Sequence, residues 1–208
     1  MKKQLIRFSW IGPLIFVSAI ILFGSLNSGY SHVSQFISEL GAKGADYNQL
    51  MNYLGIIPFG LSILLFSIGS LTALKNNIMD KVAFVVLAVT GILFVLAGLY
   101  SCDIGCNFEN MSQEAIIHNI SAFTAFVLFL VSAIVLGTNS FTKKKNKYYL
   151  FSLVCGLVGI FLFYLISKTG IYSEYRGLYQ RLFIANFLVW LITIGRFADK
   201  TTRNSNAT

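Results

Sequence analysis

Tyr47 to Leu74, YNQLMNYLGIIPFGLSILLFSIGSLTAL, contains no charged residue. A helix needs roughly 20 apolar residues to cross the hydrocarbon core of a bilayer, so this run is long enough to span with some tilt. Pro58 lies inside it and predicts a bend. Runs of the same kind lie on both sides, and together they predict spans at residues 8–26, 50–74, 82–100, 115–137, 148–167 and 175–196. The sixth is deduced from its shortness. The uncharged run from Leu182 to Gly195 covers only roughly 21 Å at 1.5 Å per residue. Its helix must therefore begin upstream, near Ser173 or Gly177, which draws Arg181 below the interface.

The fold class that follows is all-α: an integral membrane six-helix transmembrane bundle, one domain over residues 1–208. Composition agrees, since the 208 residues are 12% charged and 56% hydrophobic, whereas a soluble domain carries about a quarter charged residues. No length is left for a separate soluble domain. The net charge of +8 sits in short loops and tails, where it reads as a topology signal and not as a nucleic-acid surface; no nucleic-acid partner is expected. The first run lacks an Ala-x-Ala cleavage pattern, so it is expected to stay as the first span. With both termini cytoplasmic, the inner segments hold Lys2, Lys3, Arg7, Lys75, Lys81, the four lysines between Lys143 and Lys147, Arg196, Lys200 and Arg203. Only Lys43, Lys168, Arg176 and Arg181 remain outside, so 12 of the 16 basic residues are inside. This bias predicts a multipass protein of the cell (plasma or inner) membrane with membrane lipids as its partners.

That orientation brings the polar segments to one outer side. In Tyr30 to Gly41, Val33, Phe36, Ile37 and Leu40 share one helical face and His32, Gln35 and Glu39 another, with Ser31 and Ser38 beside them. The pattern predicts a short amphipathic helix of about two to three turns on the outer surface, with Ser31 as N-cap and Gly41 as stop. The second segment, Ser101 to Glu114, holds Cys102, Asp103, Gly105 and Cys106. Four-residue spacing in an oxidising compartment favours a small disulfide loop over free thiols, with a metal site involving His32 or His118 and Asp103 behind both. Ser112 is a candidate N-cap for the fourth span, which carries His118 just inside the boundary. Gly91 and Gly98 give the third span a face on which a neighbour can approach closely.

His32, Glu39, Asp103, His118 and Arg181 are thus candidates for one pocket. The chemistry on offer is acid and base work by His32 or His118, oriented by Asp103 or Glu39, with Arg181 holding an anionic group and Ser31, Ser38 and Gln180 completing the binding surface. The competing reading of Glu39 and Asp103 is that of interfacial acids without a role. No Gly-x-Ser-x-Gly elbow, His-Glu-x-x-His motif, phosphate loop or dinucleotide fingerprint occurs, and no cofactor follows from the residues.

Gly29-Tyr30-Ser31-His32, Ile37-Ser38-Glu39-Leu40-Gly41-Ala42, Cys102-Asp103-Ile104-Gly105-Cys106 ahead of His118, and Gln180-Arg181 together resemble the domain-of-unknown-function family 998 over essentially the whole chain. The resemblance implies a multipass membrane protein of the kind found in bacteria and archaea and implies no reaction. Three functions fit these observations: an outer-leaflet pocket that binds or modifies a lipid or other amphiphilic small molecule, a small transporter or channel subunit, and a structural or regulatory subunit without a ligand. The second is disfavoured by the lack of an ionisable residue near the middle of any span.

Reporter fusions test the topology. Those after Asn77, Lys145 and Lys200 are expected to read as cytoplasmic and those after Lys43, Glu109 and Tyr175 as external. A cytoplasmic signal at Glu109 overturns the orientation.

Overall fold

The computed structural model describes residues 2–73, 78–106, 110–142, 147–169 and 174–204. Lys75, Asn77, Glu109, Lys143 to Lys145 and Ser173 lie outside the described residues. Among the described residues, six helices are long and apolar enough to cross a membrane: Gln4–Leu26, Asn48–Thr72, Ile78–Leu99, Gln113–Phe141, Lys147–Lys168 and Arg176–Thr201. No strand occurs among the described residues. The helical elements are α1 (Lys2–Ile6), α2 (Phe8–Leu26), α3 (Asn48–Met51), α4 (Ile57–Ala73), α5 (Ile78–Leu99), α6 (Gln113–Thr142), α7 (Lys147–Thr169) and α8 (Arg176–Asn204). Helices adjacent in sequence pack together from α4 to α8, and α2 touches both α4 and α8, closing a ring.

The bend expected at Pro58 lies just before it. Asn52–Ile56 is a π-helical turn joining α3 to α4, and the Ile57 N–H reaches back to Asn52 O. Pro58 has no N–H to give Leu54 O, and its ring crowds that carbonyl, so the wider turn relieves both problems. The bulge also frees Asn52, whose Nδ2 donates to Gly41 O and Ser101 Oγ, each at 3.0 Å. A backbone defect inside a span thereby ties together the two loops at the end of the bundle remote from the termini.

Without a hydrophobic force between helices in lipid, close packing must hold them. A Cβ added to Gly60 would lie 2.7 Å from Gly91 O, and one on Gly91 would lie 2.7 Å from Gly60 O, so α4 and α5 meet backbone to backbone. Gly98 faces the same helix pair through Ile57. The centre is aromatic: Phe16 stacks on Phe59 at 4.5 Å and Phe129 on Phe187 at 4.2 Å, with Phe94 edge-on to Phe59 at 5.1 Å. Trp190 is fully buried and its Nε1–H donates to Ser152 Oγ at 3.0 Å. At the terminal end, α5 starts four residues earlier than expected and buries Asp80, whose carboxylate accepts from Asn139 Nδ2 at 2.7 Å and Tyr149 OH at 3.2 Å.

The amphipathic surface helix is not formed. Ser31 caps a single turn, with Ser34 N–H donating to Ser31 Oγ at 3.3 Å and Gln35 N–H to Ser31 O at 2.9 Å. Phe36 is extended, at φ −64° and ψ 152°, and only Ile37–Gly41 is helical, as a 3₁₀ turn. Phe36, Ile37, Glu39 and Leu40 are buried, so the segment is folded into the bundle end and does not float on it.

The Gly60–Gly91 contact makes α4–α5 packing sensitive to one methyl group. Gly60→Ala is expected to lower stability in detergent by about 1–3 kcal/mol through overpacking. Thermal unfolding of the single variants and of Gly60→Ala/Gly91→Ala checks this, with a non-additive double expected because the sites touch.

Candidate functional site

The 3₁₀ turn is the pivot of the polar end of the bundle, and the first turns of α8 decide its shape. Leu178 N–H donates to Val33 O at 2.9 Å, Arg176 Nε to Ser34 O at 2.8 Å and Arg181 Nη1 to Gln35 O at 2.7 Å. In a continuous α-helix those three carbonyls would serve the N–H groups of residues 37 to 39. Two donors at the break are also captured: Phe36 N–H by Glu39 Oε1 at 2.7 Å and Ile37 N–H by Gln180 Oε1 at 2.6 Å. The approach requires Gly177, because a Cβ there would lie 2.2 Å from Gln35 O.

Glu39 is buried, and its ion partner is Arg176, at 3.0 Å. Gln35 Nε2 donates to its second oxygen at 3.1 Å, and the Arg176 guanidinium covers the Phe36 ring at 5.0 Å. This corrects the expectation of one pocket shared by Arg181, Glu39 and Asp103, since Glu39 pairs with Arg176 and Asp103 with Lys43. Five residues along a helix turn a side chain through about 140°, so Arg176 and Arg181 address different sides of the loop. Arg181 is half-buried in the protein and is held by oxygens without full charge: Gln35 O, Gly177 O at 3.0 Å and the Tyr30 hydroxyl. Tyr30 donates in turn to Phe36 O at 2.9 Å. Burial raises the Tyr30 phenol above its ordinary range against the opposing pull of Arg181.

The other candidates separate. His32 is an exposed ring edge-on to Tyr30 at 5.2 Å; partial burial and then the Arg181 charge push its pKa below the usual value, which keeps it neutral at pH 7. Asp103 belongs to a different cluster, the cap of α6: Ser112 N–H and Oγ–H both donate to its carboxylate at 2.7 Å, and Lys43 Nζ stands 3.5 Å away. Ser112 Oγ accepts from Ala115 N–H at 3.3 Å as the N-cap, and Lys43 also pairs with Glu114 at 3.2 Å. His118 is buried beneath the 3₁₀ turn, with Nδ1 2.7 Å from Ala97 O and 2.9 Å from Tyr100 O. Two carbonyls at Nδ1 place the proton there and leave Nε2 as an acceptor. His118, Ser38 and Gln180 line a cavity of about 50 Å³, room for a water molecule or two. His32, His118 and Asp103 thus sit in three places and make no common metal site. Cys102 and Cys106 are joined in a buried disulfide packed against Phe36 and Ala42, with Cys106 Sγ 3.4 Å from Ser38 Oγ.

A second space opens to the solvent side. Tyr30, Gln35, Glu39, Lys43 and Ala45 line a recess of about 260 Å³, with Asn27 and Ser28 on one wall and Ile104 and Gly105 on the other. The recess and the small cavity share no lining residue, and the 3₁₀ turn stands between them. Tyr30, Gln35, Arg176 and Lys43 were not among the residues chosen from the sequence. Tyr30 and Gln35 lay inside the segment singled out, and Arg176, at the start of an over-short span, had the same signal as Arg181.

A family model described as a protein of unknown function (DUF998) matches residues 10–196, and the chain belongs to that family. No curated protein and no solved structure matches it.

Two measurements probe the geometry. Glu39→Gln keeps an acceptor for Phe36 N–H but discards the charge facing Arg176, so unfolding in detergent should show a loss of about 1.5–3 kcal/mol, the worth of a hydrogen bond to a charged group. The Ser112 donors hold the Asp103 carboxyl below the usual carboxylate range. A depressed folded-state value contributes stability that is present above the unfolded pKa and is lost as pH falls through the folded one. Ser112→Ala removes one donor, so an NMR titration of Asp103 should move upward and acid unfolding should begin at higher pH than in the parent.

Proposed function

We propose that this family member binds the polar head of an amphiphile in the Tyr30–Lys43 recess, on the outer face of the cell membrane, and that it binds without catalysing a reaction there. The observation that carries the reading is a polar recess with an apolar lip: Ile104, at its mouth, is 79% exposed. A polar head would sit among Tyr30, Gln35 and Asn27 while its chain meets Ile104 and the bilayer. The disulfide supports the outward orientation, since such bonds persist in oxidising compartments.

Charge narrows the class of head group. The two charged residues that line the recess are both already paired, Glu39 with Arg176 and Lys43 with Asp103 and Glu114. A neutral head rich in hydroxyl groups fits such a surface better than a phosphate or an amine, each of which would compete with an existing pair. Binding is favoured over chemistry because the acids are committed to the fold, His118 is oriented by carbonyls and not by a carboxylate, and the space beside Ser38 and His118 is too small for a substrate.

The test uses purified protein in amphipol with short-chain lipids bearing glycerol, sugar, choline or phosphate heads. The parent should gain thermal stability with hydroxyl-rich heads, and Ala45→Trp, which fills the recess, and Ile104→Asp, which removes the apolar lip, should lose that gain while melting like the parent without lipid. An equal response of the parent and Ala45→Trp to every head group overturns the reading.

A further inference from the structure

A separate groove runs along the membrane face between α2 and α8, at the end of the bundle that carries both termini. The two helices touch through small groups: a Cβ on Gly195 would lie 1.8 Å from Ser9 Oγ. Above that pinch the surface is concave, with a volume of about 770 Å³, and its walls are apolar, among them Trp10, Leu14, Val17 and Val189. Such a trench in a lipid-facing wall must be filled by lipid chain, because water there would leave its hydrogen bonds unmade.

The mouth of the groove is charged. Arg7, at the junction of α1 and α2, and Arg196, in the last part of the sixth span, both line it and both are exposed. Neither side chain makes a hydrogen bond or ion pair among the described residues. Asp199, the acid on the same wall, has a partner of its own. Trp10, 49% exposed in the same trench, has the amphipathic ring that settles at headgroup depth. Two unpaired guanidinium groups at that level match a phosphodiester, to which arginine donates in a bidentate fork. A zwitterionic head would bring its own cation against them, whereas an anionic head would not.

We infer that the α2–α8 groove is a binding site for an anionic glycerophospholipid, with an acyl chain between Leu14 and Val189 and the phosphodiester on Arg7 and Arg196. The site is independent of the Tyr30–Lys43 recess and lies at the opposite end of the bundle.

Native mass spectrometry of the full chain, released from detergent with equimolar phosphatidylglycerol and phosphatidylcholine, tests it. The parent should retain phosphatidylglycerol preferentially. Arg7→Gln/Arg196→Gln should lower that retention about tenfold, to the level of phosphatidylcholine, and Arg7→Lys/Arg196→Lys should restore part of it. Val189→Trp, which fills the groove but keeps both arginines, should lower retention of both lipids, and Ala45→Trp should change neither. A parent with no preference, or a double glutamine variant that holds phosphatidylglycerol like the parent, overturns the inference. If the glutamine variant does not fold, the tryptophan variant decides alone: unchanged retention in Val189→Trp rejects the site.

Discussion

Three consecutive carbonyls, those of Val33, Ser34 and Gln35, accept from the first turns of α8, and the polar end of this protein depends on that contact. A helix N-terminus has donors without intrahelical partners, and at a membrane boundary water is not an assured substitute. Here the donors of α8, with the side chains of Arg176 and Arg181, find their acceptors in the loop after span one. The loop gives up its own helix in exchange. What replaces it is a 3₁₀ turn whose free N–H groups at its start are taken by Glu39 and Gln180.

The same contact explains why the charged residues are distributed as they are. Glu39 must sit beside Phe36 N–H to close the 3₁₀ turn, so the cation nearest to it is the one at the very start of α8, Arg176. Arg181 is carried round the helix to Tyr30 and the Gln35 carbonyl. Asp103 is held by the start of α6, because Ser112 offers it both a backbone and a hydroxyl donor. Most of these polar groups are satisfied locally, as burial demands, although the buried Arg181 Nε has no hydrogen-bond partner among the described residues. The consequence is a recess whose two lining charges, Glu39 and Lys43, are already paired, at one end of a bundle whose opposite end presents two arginine side chains without a partner among the described residues.

The membrane interior follows a simpler rule. With lipid as apolar as leucine, helices adhere by fit, and the glycines at 60 and 91 let two backbones meet while Phe59, Phe94, Phe129 and Phe187 fill the centre. Pro58 could have weakened this packing, but the π turn ahead of it absorbs the missing N–H and aims Asn52 at two loops. One irregular turn therefore connects the core of span two to the recess above it.

Six runs without charge, each long enough to cross or extendable upstream, dictated the all-α membrane bundle from the sequence by itself, because in hydrocarbon every backbone group must be satisfied within its own helix. For the same reason the start of α8 near Gly177, the small face of Gly91 and Gly98 and the Ser112 cap were legible in advance: each is a local matter of length, side-chain size or a nearby donor. The Tyr30–Gly41 segment was legible as the polar centre but not in its conformation. Its apolar period of 3.6 describes an isolated helix, and only the tertiary structure brought Gly177 and Leu178 close enough to take its carbonyls. The choice of Arg176 over Arg181 for Glu39, and the separation of Asp103 and His118 from that pair, were decided there too, since side chains far apart in sequence find partners through helix rotation and loop path, which no local pattern encodes.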